Sequence, residues 1–239
     1  MNRFEFLSTT LGLITFSKNP IMTLRDYDPL ILIGKGNPKF VGSDFLMLPE
    51  VESALKKMTK AAKNEGIEIK VVSAYRSYDR QKVIWNSKFV KFKKEGLKNS
   101  AIIDQIIKYS TIPGTSRHHW GTDIDIIDES QPAEGDLLVT KKFHGSGPYN
   151  KLREWMESNA KKFGFIKPYN QDPARKGFLY EPWHYSYAEK AIEMLNAYIK
   201  LDAISLIRDN DLLGSNLMDL EFFNNYLSSH VLGIDSSLL

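Results

Sequence analysis

The stretch PGTSRHHWGTDIDIIDES, residues 113–130, places two adjacent histidines, two glycines and four acids in eighteen positions. From Thr122 onward polar and β-branched residues alternate, which predicts a strand. Successive side chains of a strand point to opposite faces, so Asp123 and Asp125 share one face and the isoleucines share the other. The isoleucine face belongs in a core. The acidic face therefore points toward solvent or toward a site.

His118 and Asp125 can meet only if the chain bends between them. They are separated by an odd number of positions, so a straight strand would place them on opposite faces. Gly121 is the position at which the backbone could bend. A histidine pair or an alternating acidic strand, taken alone, is more often a solvated face than a site. The spacing is therefore compatible with a metal site but does not by itself require one.

A second cluster, EPWHYSY at residues 181–187, offers a glutamate and a histidine at the edge of another predicted strand. Glu181 and His184 also differ by an odd number, and the proline between them disfavours a regular ladder. The chain has no cysteine, so His, Asp and Glu are the strong metal ligands available. We assign no site role to His144, in a predicted loop, or to His230, in the tail.

The composition describes an ordinary folded domain. With 239 residues, 42% of them hydrophobic, the chain can bury a substantial core. The net charge of +3 is small and spread along the sequence, so we expect no nucleic-acid partner. No run reaches the roughly 18 apolar residues of a membrane span. We therefore predict a protein without a stable membrane span, and a monomer.

The periodicities alternate between helix and strand along the chain. We predict helices from Pro49, from Ser77, over 101–109, over about 150–163 and over 188–207, with further helical turns in the tail. We predict strands over 67–75, 122–127, 163–169 and 178–187, and one at 30–33. Helices come first, and the strands cluster around the His and Asp positions. This order indicates an α+β fold with a small, mostly antiparallel sheet flanked by helices.

Three segments together resemble a known family of enzymes. SAYRSYDRQ (73–81), PGTSRHHWGTDID (113–125) and EPWHYSY (181–187) are similar to the motifs of the zinc D,D-carboxypeptidases and dipeptidases of the VanY and VanX type. The family pattern is roughly S-G/A-Y-R-S-x-x-x-Q, S-x-H-x-x-G-x-x-x-D and E-x-W-H, in this order. The similarity spans about residues 67–190, and it implies a hedgehog/D-Ala-D-Ala-peptidase-like fold.

The resemblance assigns a role to each matching position. It implies that zinc is bound by His118, Asp125 and His184, and not by their neighbours His119 and Asp123. It also implies the remaining roles, which are Glu181 as general base, Arg76 facing the reacting carbonyl, Ser116 in contact with substrate and Gln81 in support of the substrate site.

The chemistry of these residue types agrees with the implied roles. Zinc held by two neutral imidazoles and one carboxylate keeps a net positive charge, which polarises a carbonyl and lowers the pKa of bound water toward about 7. A nearby carboxylate can then move the proton. An arginine that holds the oxyanion contributes on the order of 2.7–4 kcal/mol, the cost of removing single oxyanion donors elsewhere.

Two positions depart from the family pattern. Asp123 stands where many members have a small residue such as Ala, and Ser186 stands where many have Arg. These departures affect the expected subsites and peptide stereochemistry. Ligating histidines also need partners that fix the ring orientation. The sequence offers four candidates without choosing among them, namely Trp120, Asp123, Trp183 and Tyr185.

We therefore expect a zinc metallopeptidase that hydrolyses D-alanine-type bonds of peptidoglycan stem peptides, with D,D-carboxypeptidase activity as the main hypothesis. A peptidoglycan endopeptidase and an L,D-carboxypeptidase are the enzymatic alternatives. The non-enzymatic alternative is a zinc-containing module that binds cell wall or protein without turnover. A binder needs neither Glu181 nor Arg76, and the presence of both favours catalysis.

The chain divides into three predicted parts. Residues 1–20 have the layout of a signal segment, with an early Arg and an apolar run, although Glu5 is atypical and no A-x-A cleavage site follows. Residues 21–200 form the predicted zinc carboxypeptidase-like catalytic domain. Residues 201–239 form a predicted helical extension that packs on it. We expect an extracytoplasmic location, in the periplasm or cell envelope, with the cytoplasm as the alternative.

Overall fold

Four short strands form one antiparallel sheet. They are β1 (Ile69–Ser73), β2 (Asp123–Asp128), β3 (Phe165–Ile166) and β4 (His184–Tyr187), in the spatial order β1–β2–β4–β3. The predicted α+β class with a small antiparallel sheet is confirmed. The computed structural model describes residues 27–132 and 134–239. The predicted signal-like segment at 1–20 lies outside the described residues.

The described residues contain eight α-helices. In chain order these are α1 (Pro29–Leu32), α2 (Pro49–Lys63), α3 (Tyr78–Lys94), α4 (Asn99–Ile106), α5 (Asn150–Asn159), α6 (Ala188–Tyr198), α7 (Ala203–Ile207) and α8 (Leu220–Tyr226). Short 3-10 helices cover Arg117–Trp120, Thr140–Phe143, Ala160–Phe163, Ser215–Leu217 and Ser236–Leu238, and a π-helical turn covers Leu227–Val231.

The two long helices before the site begin and end where the sequence signals place them. α2 starts with proline in its first turn, together with two glutamates, and has two lysines in its last turn. The charges oppose the helix dipole at both ends and so stabilise the helix. α3 is capped by Ser77, whose hydroxyl accepts a hydrogen bond from the Arg80 N–H at 3.2 Å. Three lysines occupy its last turn.

Both faces of β2 are buried. Ile124 and Ile126 pack into a core with residues of α2 and α5, including Val51, Met58 and Leu152. The opposite face carries the two aspartates, which are 0% and 4% exposed. Of the two alternatives for the acidic face, the structure excludes solvent. Buried carboxylates need partners, so this face is where a site is expected.

One predicted element is wrong, and two others are wrong in their bounds. Residues 30–33 are not a strand, because Asp28 caps a helical turn by accepting from the Leu30 N–H at 2.9 Å. The helix predicted over 188–207 is broken after Tyr198, and Asp202 caps a separate α7. The strand predicted over 178–187 begins only at His184, because the chain turns at 181–184 around a proline, which has no N–H to donate.

Residues beyond α6 pack on the rest of the chain. Apolar side chains of α7, α8 and the segments that follow join a second core with α3, α4 and α6. The Trp85 indole N–H donates to the Leu213 carbonyl at 2.9 Å. Tyr226 accepts from the Ile112 N–H at 3.1 Å and lies 2.9 Å from the Thr115 hydroxyl. The extension therefore holds the loop that precedes His118.

Among the described residues, no helix combines the length and apolar character that crossing a membrane requires.

Candidate metal centre

The sheet register places two predicted zinc ligands side by side. Asp125 of β2 pairs directly with His184 of β4, and Asp123 pairs with Ser186. Residues directly opposite each other on antiparallel strands have Cβ atoms about 4.5–5.5 Å apart on the same face. His184 Nδ1 lies 3.3 Å from Asp125 Oδ1.

A tight turn brings in the third predicted ligand. The 3-10 helix Arg117–Trp120 ends at Gly121, whose φ of +67° is in the left-handed region. A Cβ at Gly121 would lie 2.4 Å from the Phe40 ring, so the bend needs glycine for both conformation and space. As a result His118 Nε2 lies 3.4 Å from Asp125 Oδ2. The predicted bend brings the odd-spaced pair together.

Hydrogen bonds on the far side of each ring determine which nitrogen faces the centre. His118 Nδ1 lies 2.8 Å from the Ala74 carbonyl, which can only accept, so Nδ1 carries the proton and Nε2 is free. His184 Nε2 donates to Asp123 Oδ2 at 2.8 Å, so Nδ1 faces inward. Once His184 Nδ1 gives up its proton to a metal, both rings would present a lone pair on the inward nitrogen, in the tautomers that a metal needs.

The residues present fit a zinc ion. Ligand atoms of His118, Asp125 and His184 all lie within 4.8 Å of one another, and all three residues are buried. Two atoms bound at about 2.0–2.1 Å in a tetrahedral site lie about 3.4 Å apart, which matches the two His–Asp distances of 3.3 and 3.4 Å. Asp125 Oδ1 is buried without a hydrogen-bond donor in the described part of the chain. A cation would satisfy it.

Asp123 is the centre of a buried polar network behind His184. Its carboxylate accepts from Arg117 Nε at 3.1 Å, His184 Nε2 at 2.8 Å, the Ser186 hydroxyl at 2.6 Å and the Thr122 hydroxyl at 2.7 Å. Arg117 also donates to Ser186 at 2.6 Å. The two departures from the family pattern, Asp123 and Ser186, therefore touch each other. Of the four residues that the sequence offers as partners for the ligating histidines, Asp123 is the one that bonds and orients His184.

This network sets the protonation of the metal-free site. Burial alone would lower the pKa of His184, but its hydrogen bonds to Asp123 and Glu181 outweigh burial and raise that pKa to about 10. Burial would likewise raise the pKa of Asp123, and the neighbouring Arg117 guanidinium together with His184 reverses this and lowers it. Asp123 is thus held as a carboxylate.

Glu181 lies beside the predicted ligands. The turn at 181–184 closes with the His184 N–H donating to the Glu181 carbonyl at 3.2 Å. This turn places Glu181 Oε2 3.1 Å from His184 Nδ1, the nitrogen that faces the metal position. The side chain lines the same cavity as the three ligands. A carboxylate there can exchange a proton with a molecule bound at the centre.

Arg76 reaches the same cavity from the end of β1. Its Nη1 donates to Gln81 Oε1 at 2.9 Å and its Nη2 to the Ser73 hydroxyl at 3.0 Å. Burial lowers the pKa of Arg76, and the carboxylates of Asp125 and Glu181 oppose that effect. Gln81 is fully buried and also donates to the Thr111 carbonyl at 2.8 Å. Its geometry suits positioning of Arg76.

His119 is turned away from the centre. Its Nε2 accepts from the Gly114 N–H at 3.0 Å, so its Nδ1 carries the proton and donates to the Arg76 carbonyl at 2.5 Å. Burial lowers the pKa of His119 to about 3, so the ring is neutral. The Arg76 N–H in turn donates to the His118 carbonyl at 3.0 Å. His119 thus ties Arg76 to the ligand-bearing turn.

The centre opens into a cavity of about 460 Å³. The predicted residues Ser116 and Arg76 line it, together with the ligands. Sequence reasoning missed three charged residues in the wall, Lys88, Arg117 and Asp136. A signal for Arg117 existed, because it lies between the motif serine and histidine. Lys88 lies two helical turns beyond Gln81 on the same face of α3, and only the placement of that helix reveals it.

The fold and this constellation define the class of protein. The family model described as VanY, D-alanyl-D-alanine carboxypeptidase, matches residues 44–190. The chain belongs to this family, and the resemblance drawn from the three motifs is confirmed.

Two relatives of the chain carry names that agree with this family. The chain is 38% identical over 165 residues to YodJ of Bacillus subtilis (strain 168), provisionally named a carboxypeptidase, covering 68% of this chain and 50% of that protein. It is 31% identical over 134 residues to a D-alanyl-D-alanine carboxypeptidase of Enterococcus faecalis (strain ATCC 700802 / V583), covering 56% and 45%. The chain thus spans about half the length of these curated relatives.

Solved structures share the fold. The LdcB LD-carboxypeptidase matches with a TM-score of 0.52 and 31% identity, covering 80% of each chain. VanYB in complex with D-alanine-D-alanine matches with a TM-score of 0.52 and 21% identity, covering 74% of this chain and 91% of that one. The second likeness establishes the fold alone.

Proposed function

We propose that this chain is a zinc-dependent peptidase that removes D-alanine from the end of peptidoglycan stem peptides, outside the cytoplasm. One observation carries the proposal, namely that His118, Asp125 and His184 converge in one cavity with Glu181 3.1 Å from the inward nitrogen of His184. Membership of the VanY family supports the substrate class.

Each residue has a part that its position supports. His118 Nε2, His184 Nδ1 and the Asp125 carboxylate would hold zinc, which when bound supplies Lewis acidity that polarises the carbonyl and acidifies water. Glu181 accepts the proton of the attacking water. It then returns the proton to the amine that leaves as the C–N bond breaks.

Arg76 stabilises the negative charge that develops on the carbonyl oxygen. Its guanidinium is held by Gln81 and Ser73 before substrate arrives, so little reorganisation is needed when the charge appears. A lysine could not reproduce this arrangement, because it lacks the planar fork that bonds Gln81 and Ser73 at once.

The test is incubation of the zinc-loaded protein with defined stem peptides, followed by mass spectrometry. A pentapeptide ending in D-Ala-D-Ala should lose one alanine, a chelator should stop the loss, and added zinc should restore it. A matched peptide ending in L-Ala is the control and should stay intact. Absence of release from every stem peptide by zinc-loaded protein would remove the enzymatic proposal and leave the binding-module alternative.

L,D-carboxypeptidase activity is the second candidate. The observation that favours it is the LdcB LD-carboxypeptidase, which is 31% identical and covers 80% of this chain. A tetrapeptide ending in a single D-Ala after an L-centre distinguishes the two activities. Preference for the tetrapeptide over the pentapeptide by kcat/KM would replace the D,D assignment, and internal cleavage would identify an endopeptidase by product mass.

A further inference from the structure

Lys88 projects from α3 into the wall of the cavity. It lies seven residues after Gln81, which is two helical turns on the same face and about 10 Å further along the helix axis. Its ammonium is 2.5 Å from the Ser110 hydroxyl, and both residues line the cavity with Arg76 and Glu181. The catalytic scheme above uses neither Lys88 nor Ser110.

The hydrogen-bond partner of Lys88 is neutral, whereas three other buried or half-buried lysines have charged partners. Lys82, Lys167 and Lys190 each pair with a carboxylate, at 2.9, 3.3 and 3.2 Å. Lys88 has no carboxylate within ion-pair distance in the described part of the chain; burial lowers its pKa, and the more distant carboxylates of Glu181 and Asp136 oppose that shift. A half-buried ammonium without a carboxylate in contact is costly, and proteins normally pair it. The missing anion is therefore expected from a ligand.

The other charges of the cavity leave room for such an anion. Asp125 and Glu181 face the metal position, where a divalent cation would balance them. The Arg117 guanidinium is matched by Asp123 behind the site. Asp136, the other acidic residue of the wall, is exposed at the rim. With zinc bound, the cavity has an excess of positive charge that favours an anionic ligand.

We propose that Lys88, positioned by Ser110, forms a subsite that binds a free carboxylate of the peptide. The subsite rests on the proposed function for its substrate class and assigns a specificity determinant to it. A carboxylate accepts from an ammonium more strongly than from a neutral donor. Two carboxylates of a stem peptide could occupy the subsite, the C-terminal one or one borne by a residue before the bond that is cut.

The experiment measures binding separately from turnover. Glu181→Gln protein, zinc-loaded, is titrated by calorimetry with three peptides. The first is the pentapeptide free acid and the second is its C-terminal amide. The third is the free acid in which the upstream carboxylate, the α-carboxylate of the glutamate in the stem, is amidated. Each titration is repeated with Lys88→Met, Lys88→Arg and Lys88→Gln added. Lys91→Met is the matched control, because Lys91 is an exposed lysine on the same helix.

Lys88→Met should weaken binding of the free acid by about 10- to 100-fold, the loss expected for one hydrogen bond to a charged group. Lys88→Arg should retain most of the affinity, and Lys91→Met should change nothing. Loss of the Lys88 effect with the C-terminal amide identifies the terminal carboxylate. Loss of the effect with the amidated glutamate identifies the upstream carboxylate.

Two results would overturn the subsite. One is equal affinity of Lys88→Met and its parent for all three peptides. The other is an equal loss for all three, which would indicate a role unrelated to carboxylates. Lys88→Gln repeats the test if Lys88→Met lowers the melting temperature. Release of alanine by protein with native Glu181 and Lys88 tests the proposed function alone, so the two proposals can fail separately.

Discussion

Replacing Asp123 by alanine should separate its two contributions. Asp123 is fully buried and accepts from Arg117 and from His184. Removing the carboxylate leaves the Arg117 guanidinium, 3% exposed, without its counter-charge. That change should lower the free energy of unfolding by about 3–5 kcal/mol. The same substitution removes the carboxylate that orients the His184 ring. Loss of a partner that orients a ligating histidine costs roughly 10- to 100-fold in metal affinity.

A double variant distinguishes the two effects. In Asp123→Ala with Arg117→Met no unpaired charge remains, so most of the stability should return. The zinc affinity should stay low, because His184 still lacks its orienting carboxylate. Ser186→Ala is the matched control, since it removes a neutral partner of both residues and should cost about 1 kcal/mol. Urea unfolding of metal-free protein and chelator competition for zinc measure the two quantities.

The reasoning would be refuted if the double variant bound zinc as tightly as the parent. Asp123 would then act only as a counter-charge for Arg117. A loss of less than about 1 kcal/mol in the single variant would equally refute the claim that the guanidinium depends on Asp123.

Three further predictions concern the proposed base, the metal and an ion pair outside the centre. Glu181→Gln should keep zinc but lose most turnover, whereas His118→Ala should lose both; unimpaired turnover in the Gln variant, measured by alanine release, would contradict the base role. Removing zinc with a chelator should lower the free energy of unfolding by about 2.7 kcal/mol, compared with protein in free zinc at 100 times the Kd of the site. An unchanged melting temperature would contradict zinc binding by the folded protein. The Asp209 carboxylate accepts from Lys82 Nζ at 2.9 Å and from the Tyr78 hydroxyl at 3.1 Å, so Asp209→Asn should cost about 1 kcal/mol at pH 7, measured by urea unfolding.

The Asp209 effect should depend on pH. Burial alone would raise the pKa of Asp209, but the hydrogen bonds from Lys82, the Asp211 N–H and Tyr78 together outweigh burial and lower that pKa. A lowered folded-state pKa contributes stability above the unfolded value of about 3.9, and the contribution is lost as the pH falls through the folded value. The free energies of unfolding of variant and parent should therefore begin to converge as the pH falls below about 4 and meet below the folded-state pKa. A difference that stays constant over this range would contradict the ion pair.

The sequence predicts the sheet well because the pattern of β2 is strong and local. Alternation of aspartate and isoleucine predicts which face is core, and Gly121 predicts the bend. The pairing of Asp125 with His184 depends on a register between segments some sixty residues apart, which no local pattern encodes. The motif resemblance supplied this long-range information, and the register of β2 with β4 now gives its physical basis.

The predicted strand at 30–33 is wrong because a helix cap determines the local structure there more strongly than the apolar pattern does. The apolar run at 30–33 reads as a strand, yet Asp28 and Pro29 start a helical turn there. The network around Asp123 and the position of Lys88 in the cavity wall could not be predicted from the sequence, for a different reason. Each depends on how a buried helix or turn is rotated toward the sheet, and packing of distant residues determines that rotation.

Both backbone groups of Arg76 are tied to the turn that carries the first predicted ligand. Its N–H bonds the His118 carbonyl and its carbonyl bonds the His119 ring. The proposed oxyanion donor and the first predicted zinc ligand therefore share one backbone anchor, so a displacement of either residue would be transmitted to the other. Lys88 lies two helical turns beyond Gln81 on α3, and its own hydrogen bond goes to Ser110. On the proposed roles, its substitution should therefore alter peptide preference while Arg76 and His118 stay in place.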